Sequence, residues 1–330
     1  MKATIRDVAR EAGVSISTVS KVMNHWKTIS QETVERVQDA ATKLGYTPNA
    51  RAVNFARGNT HNVIYLSDLK KGAAYQNPHL FDIMCGVFSS LAKNGYTMTL
   101  MDISNEDHPN ETIENIIKEK SADGIVIHGS VINQEVANLI VDHQFPHIVI
   151  GHPDFDNRLC WIDTNHALAG QHAAAYLIRR KALPAVFIAG RKTDFISKER
   201  ENGFRKCLRH NGYSLQNTDV AYTDSSWEIA YHTTKEFLNR STIPKAIVTE
   251  NNTLAVGAAR ALRELSDEKS NEIVFLTFDI YPYTTILDPR PDVIDINVYE
   301  LGMQVGEMII RKINNPTLMI QSYSTLPEII

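Results

Sequence analysis

Hydrophobic and polar positions follow two regimes along this chain, and the change falls near residue 60. Before it, apolar residues recur at helical spacing in short stretches. Val8, Ala9 and Ala12 share one face of a first segment, Val19 and Val22 one face of a second, and Val34, Val37, Ala41 and Leu44 one face of a third. Spacings of three and four bring side chains to one side of an α-helix, so three amphipathic helices are predicted. The flanking residues agree: Thr4 with Asp7 reads as a capping box, Ser15 and Ser30 open the next two helices, and Gly13 and Gly45 end the first and third. Beyond residue 60, short apolar runs alternate with helical stretches. The runs are Val63 to Leu66, Thr97 to Met101, Gly124 to Ile127, His147 to Ile150, Ala185 to Ile188, Val220 to Tyr222, Ala246 to Val248, Ile273 to Phe278 and Val293 to Ile296. Strands that alternate with helices imply parallel sheets covered on both faces. Nine strands exceed one comfortable sheet, so two lobes are expected, divided near Thr164 and again near Pro291.

The predicted organisation is therefore an all-α helix-turn-helix head over 1–47, a hinge helix and linker over 48–60, and an α/β bilobed body over 61–330. Lobe one takes about 61–163 and 292–325, and lobe two about 164–291. In the head, Gly13-Val14-Ser15 turns the chain sharply from the first helix into the second. With Val19 and Val22 facing inward, Ile16, Ser17, Ser20 and Lys21 form the opposite face, and in a helix-turn-helix that outer face enters the major groove. An alternative at this stage is an ordinary three-helix bundle.

Charge supports the first reading. Residues 1–60 carry nine Lys and Arg against five acids, a net +4 that leaves −8 on the rest of a chain whose total is −4. A basic end approaches phosphates while an acidic remainder avoids them. At 43% hydrophobic residues the chain is apolar enough to fold. No run approaches the roughly 18 uninterrupted apolar residues of a membrane span, and the N-terminus is charged where an export signal is apolar, so a cytoplasmic protein with no membrane partner is expected. Cys85, Cys160 and Cys207 are odd in number and widely spaced, which offers neither a disulfide framework nor a metal-ligand pair. Enzymatic chemistry is not expected either: His143 and His147 are four apart, but Pro146 breaks the helix that would align them. No nucleophile elbow or phosphate loop is present, and no cofactor is expected.

The stretches TIRDVAREAGVSISTVSKVMN and ISQETVERVQDAATKLGYTPNARA resemble the DNA-binding head of the lactose repressor (LacI) family. The resemblance implies that Ile16, Ser17 and Lys21 read bases. Thr4, Ser15, Thr18, Ser20, Asn24, Tyr46 and Asn49 join the DNA-facing set, with Ala52 and Phe55 from the hinge. Lys21 stands where many relatives carry Arg, and an ammonium cannot make the two-pronged contact of a guanidinium to guanine. Ile16 has no hydrogen bond to offer; it either meets a thymine methyl or packs. Residues 50–57 read as a helix of about two turns, and helices under roughly 12 residues are marginal alone in water. In the family, paired hinge helices enter the minor groove and wedge a leucine between base pairs; here that position is Phe55, whose alternative is to dock on the body.

The body resembles the periplasmic sugar-binding-protein fold that the family appends to this head, through NPHLFDIMCGV, IDTNHALAGQHAAAYLI, RENGFRKCL, ENNTLAVGAARAL and FLTFDI. Carried over, the effector-contacting residues are Arg200, Asn251 and Asp279, with Trp227 as an aromatic platform. Ser67, Phe81 and His128 are further candidates at strand ends or on the first body helix. Carboxylate, guanidinium and amide both accept from and donate to hydroxyls, and an indole covers the apolar face of a sugar ring. Each has another reading: Arg200 and Asp279 as a structural ion pair, Trp227 as core, Asn251 as a helix cap. Asn252 stands where relatives usually carry Asp, and Gly151-His152 where the lactose repressor offers a carboxylate, so sugar identity does not transfer.

The implied function is a repressor of carbohydrate utilisation that binds a near-palindromic operator as a homodimer and is switched by a small sugar-like effector. A purine-corepressed member, a global catabolite regulator and an exported sugar-binding protein are the alternatives. If the hinge couples body to operator, Phe55→Ala weakens binding to the specific operator far more than to random duplex, as read by gel shift on both DNAs; equal loss on both rejects the coupling role.

Overall fold

The computed structural model describes residues 3–23, 28–47, 59–71, 78–103, 109–153, 155, 158–266, 270, 272–280, 283–323 and 326–329. The chain divides into two units, Met1–His61 and Asn62–Ile330.

In the first unit Thr4 is extended, and its backbone N–H and hydroxyl both donate to Asp7 Oδ2, at 3.0 and 2.7 Å. The side chain thereby satisfies a donor that the opening turn of a helix leaves without a partner. α1 (Ile5–Ala12) runs to Gly13, whose φ of 64° turns the chain in a conformation that Cβ-bearing residues resist. Ser15 Oγ accepts from the Thr18 N–H at 3.0 Å and opens α2 (Ile16–Met23). α3 (Gln31–Lys43) crosses both. Val8, Val19 and Val37, one from each helix, are fully buried at the centre of the head's core. Asn24, and Asn49, Ala52 and Phe55 of the expected hinge, lie outside the described residues.

The second unit holds two six-stranded sheets. The first is built from β1 (Asn62–Ser67), α4 (Pro78–Lys93), β2 (Thr97–Asp102), α5 (Pro109–Glu119), β3 (Gly124–His128), α6 (Gln134–Asp142), β4 (His147–Ile150) and β5 (Trp161–Asp163). The chain then crosses to α7 (His166–Arg179), β6 (Ala185–Ala189), α8 (Phe195–His210), β7 (Val220–Tyr222), α9 (Trp227–Leu238), β8 (Ala246–Thr249), α10 (Asn252–Arg263), β9 (Val274–Phe278) and β10 (Asp292–Asp295). It returns through α11 (Val298–Asn314), which packs on α4, to β11 (Gln321–Tyr323) beside β5. Finally it crosses again to β12 (Glu328–Ile329) beside β10. The sheet orders are β11-β5-β4-β3-β1-β2 and β12-β10-β9-β8-β6-β7. All pairings are parallel except β10 with β12, so the carboxyl ends of the parallel strands lie at one end of each sheet.

One expected boundary moves. The run beginning at Val293 was assigned with lobe one, but Asp292, Val293 and Ile294 pair with Leu276, Thr277 and Phe278 of β9. The second lobe therefore keeps β10, and the chain leaves it beyond Ile296, where Asn297 takes φ 45° and caps α11. An apolar run announces a strand without naming its neighbour, which is why the division near Pro291 was misplaced. β5, β11 and β12 are not among the runs read from the sequence; they have three, three and two residues. No helix among the described residues is long and apolar enough to cross a membrane.

Two glycines set the closest helix contact of the second lobe. A Cβ built on Gly203 of α8 would lie 1.9 Å from the Ala167 carbonyl oxygen of α7, and one on Gly170 would lie 2.0 Å from that of Arg200. Backbone meets backbone here, with no flexible side chain to yield. Gly203→Ala is expected to force α7 and α8 apart and to lower stability by about 1–3 kcal/mol, measured by urea unfolding; no loss of midpoint would show that the two helices tolerate separation.

Candidate functional site

The head presents the outer face of α2. Ile16 is 45% exposed, Ser17 and Lys21 are exposed, and Ser20 is half-buried, while Val19 and Val22 take the core side. Ser15 and Thr18 are engaged with each other at the helix start, Oγ to Oγ1 at 2.9 Å. Tyr46 is half-buried and packs against the head's core. Thr4 is committed to Asp7, whose carboxyl it holds below the usual range through those hydrogen bonds. The face is a short polar strip with one apolar tip and one ammonium, the composition that base edges and phosphates require.

In the body the chemistry collects at the carboxyl ends of the parallel strands, where an open parallel sheet places ligands. Asp279, directly after β9, is 3% exposed and takes φ 72°, a left-handed conformation that aspartate adopts more readily than most residues. Its N–H donates to the Ile294 carbonyl at 3.0 Å, which turns the carboxylate out of the sheet. Arg200 of α8, 2% exposed, places Nη1 3.5 Å from Asp279 Oδ2, donates to the Glu250 carbonyl, and sits 4.4 Å over the Phe278 ring. His79 of α4, in the other lobe, brings Nε2 to 3.2 Å from the same oxygen. Burial by itself raises the Asp279 carboxyl, but Arg200 and His79 outweigh it and hold it down to about 2.

Around this pair, Glu250 follows β8; burial pushes its carboxyl up, and Oε2 accepts the Gly190 N–H at 2.5 Å. Asp163 at the end of β5 accepts the N–H groups of Thr164 and His152 at 2.7 and 3.0 Å and lies 3.4 Å from His166 Nε2. Burial opposes that charge, yet the carboxyl is held below its usual value by His166 and the two N–H donors. Several buried atoms here have no hydrogen-bond partner: Ser67 Oγ, His152 Nδ1, Thr164 Oγ1, His166 Nδ1, Arg200 Nε and Asp279 Oδ1. Buried polar atoms are normally paired, so these are groups with unused hydrogen-bonding capacity.

The residues singled out from the sequence divide. Arg200 and Asp279 come together, with Asn251 beside them at the start of α10. Asn251 is a cap, Oδ1 accepting the Leu254 N–H at 2.9 Å, and the same helix start lies beside Glu250. Ser67 is at the end of β1 and fully buried. His128 ends β3 with Nδ1 against Ser130, and burial pushes its pKa down. Phe81 is not brought in: it is 55% exposed on α4, and the residue that reaches the pair is His79, two positions earlier. Two residues turn a helix by about 200°, so the two side chains leave α4 on opposite sides. Trp227 opens α9, but its ring lies under the Arg260 guanidinium at 5.4 Å, more than two turns along α10, on the seam between those helices. The aromatic groups that do meet across the lobes are His152 and Phe195, stacked with centroids 5.1 Å apart at 10°. His152 was marked in the sequence only as a departure from the lactose repressor's carboxylate, and His79 and Phe195 were not singled out, because only the docking of one lobe on the other makes these residues neighbours. His147, one of the two histidines weighed for enzymatic chemistry, is structural. It is buried in β4, accepts the Cys160 N–H at 3.0 Å, and is pushed down to about 4 by that burial.

A depressed carboxyl contributes stability above its unfolded value, and that contribution disappears as pH falls through its folded value. Asp279 should therefore support the body above pH 3.8 and cease to do so as pH falls towards about 2. Asp279→Asn leaves the Arg200 charge buried without its counterion, which is expected to cost about 3 kcal/mol at neutral pH and to flatten the acid side of the stability curve. Denaturant unfolding of both proteins between pH 7 and 3 measures it.

Two family models cover most of the chain. Residues 4–49 match the bacterial regulatory proteins of the lacI family, and residues 71–324 match the periplasmic binding proteins and sugar binding domain of the LacI family. The HTH-type transcriptional regulator MalR of Streptococcus pneumoniae (strain TIGR4) is 27% identical over 96% of this chain and 94% of its own. The ribose operon repressor of Escherichia coli K12 is 26% identical over 98% and 97%. Among solved structures, the lac repressor dimer bound to operator and an anti-inducer shares the fold at a TM-score of 0.78 and 20% identity, over 100% of this chain and 98% of that one. A helix-turn-helix head followed by a two-lobed parallel-sheet body is this family's arrangement, and the protein belongs to the LacI family of DNA-binding transcriptional regulators.

Proposed function

We propose that this regulator represses genes of carbohydrate utilisation from a near-palindromic operator, and that a small polyhydroxylated effector bound at Asp279 and Arg200 changes its grip. The observation that carries this reading is the buried carboxylate–guanidinium pair with unpartnered acceptors and donors around it. A hydroxyl both donates and accepts, so it can partner an acceptor such as Asp279 Oδ1 and leave its oxygen to a donor such as Arg200 Nε. Asn251 at the start of α10 adds an amide, and His152 with Phe195 supplies flat apolar surface that Trp227 does not.

The stacked His152 and Phe195 rings also favour a second reading, a planar heterocycle held between the lobes. The head needs two copies to span successive major grooves, about 34 Å apart. Phe81 and Phe88, seven residues apart on α4, are 55% and 52% exposed, and Leu100 on the edge strand β2 is 45% exposed. Residues seven apart share a helix face, so this apolar strip supports a homodimer formed through the first lobe.

Binding to the upstream DNA of its own gene, measured by fluorescence anisotropy with maltose, cellobiose, ribose and hypoxanthine added in turn, tests the reading. One sugar is expected to shift the operator affinity by 5-fold or more, in keeping with a coupling of roughly 1–3 kcal/mol. Arg200→Ala should lose that shift and keep the affinity of the unliganded protein. A response to hypoxanthine alone selects the heterocycle, and a normal sugar response in Arg200→Ala removes the site.

A further inference from the structure

Asp279 Oδ2 is approached from both lobes: by Arg200 of its own lobe at 3.5 Å and by His79 of the other at 3.2 Å. The imidazole thus stands on the same carboxylate to which, on the reading above, an effector hydroxyl must donate, at the oxygen that both lobes approach. The contact spans the cleft, so it exists only while the lobes are together. Its two ends respond differently to pH. Asp279 stays ionised throughout the neutral range because Arg200 lies beside it. His79 is raised above its ordinary imidazole value by the charge of Asp279 and its hydrogen bond, against the effect of burial.

The charged groups facing the imidazole are Asp279 after β9, Arg200 on α8 and Asp82 on its own helix, with Asp295 at the end of β10. His166 in turn faces Asp279. Burial raises the Asp295 carboxyl, while Asp279 is the carboxylate in contact with the imidazole.

We propose that His79 is an internal competitor for the effector's place on Asp279. Its imidazolium latches the two lobes when no effector is bound, and an effector hydroxyl that takes Asp279 displaces the ring and sets its proton free. The exchange balances: one donor to Asp279 Oδ2, the Nε2–H of His79, is replaced by another, the hydroxyl O–H, and the released imidazolium gives its proton to solvent. The proposal rests on Asp279 as an effector ligand.

Burial pushes the His79 imidazole down, but the charge and hydrogen bond of Asp279 more than offset this and raise it above the ordinary 6.5. A group raised by its partner stabilises the contact fully below its ordinary value and stops doing so as pH rises through the raised one. The latch accordingly holds at mildly acidic pH and loosens upward from 6.5, and effector affinity climbs in the same interval. The gain is at most roughly tenfold for each unit by which Asp279 raises the ring. His79→Gln keeps a donor without the charge and removes this dependence. The His152–Phe195 stack also crosses the cleft, so the variant still closes.

The test uses the full chain. With histidine labelled at carbon Cε1, nuclear magnetic resonance gives the His79 midpoint in ligand-free protein, and His79→Gln assigns the signal. A midpoint above 6.5 that falls in Asp279→Asn is expected; a midpoint at or below 6.5 in the unaltered protein overturns the latch whatever the effector is. Calorimetry with maltose, cellobiose and ribose at pH 7, in phosphate and in Tris, then reads the proton. Release on sugar binding, absent in His79→Gln, is the expected result, and binding without release overturns the displacement. If none of these sugars binds, the sugar reading is what fails, while the titration midpoint still decides the latch.

Discussion

An ionised carboxylate almost wholly withdrawn from water dictates what stands around it, and in this protein that group is Asp279. Taking such a charge out of solvent is costly unless a cation and hydrogen bonds replace the lost hydration. Arg200 supplies the cation, and its own burial is offset by the Glu250 carbonyl and the Phe278 ring. Well-packed apolar residues often stabilise a core as much as a buried ion pair does. Under the proposed function the pair is kept for what it offers a ligand rather than for what it adds to the fold. The helix that carries Arg200 is set by the close approach at Gly170 and Gly203, where α7 and α8 meet backbone to backbone.

Parallel topology then gives the pair its setting. The strand ends of each sheet gather short polar loops: Ser67, His128 and Asp163 in one lobe, Gly190, Glu250 and Asp279 in the other. The chain passes between the sheets three times, after β5, after β10 and after β11. Three crossings confine relative motion of the lobes to a hinge, and a guest held between strand ends of both lobes biases that hinge towards one state. In the proposed mechanism operator affinity follows only if the effector prefers one of the two states. The interlobe contacts of His79 with Asp279 and of His152 with Phe195 belong to the closed one.

Local order was legible in the amino-acid sequence. The three head helices, their caps at Thr4 and Ser15 and the turn at Gly13 are governed by residues within a few positions of one another, and so are the nine apolar strand runs. Family resemblance carried Arg200, Asn251 and Asp279 because their surrounding motifs are contiguous stretches. What the tertiary structure decided is everything that depends on a neighbour distant in the chain. β10 reads the same as any apolar run until β9 is found beside it. Phe81 is a further candidate in the sequence, and only the orientation of α4 leaves it exposed and brings His79 to Asp279. That Trp227 has the Arg260 guanidinium over one face of its ring is likewise settled only by the packing of two helices. Periodicity records which side of an element is apolar, since that is a property of the element alone; which side chain meets which is settled by how the elements pack, and only folding brings residues 79, 200 and 279 together.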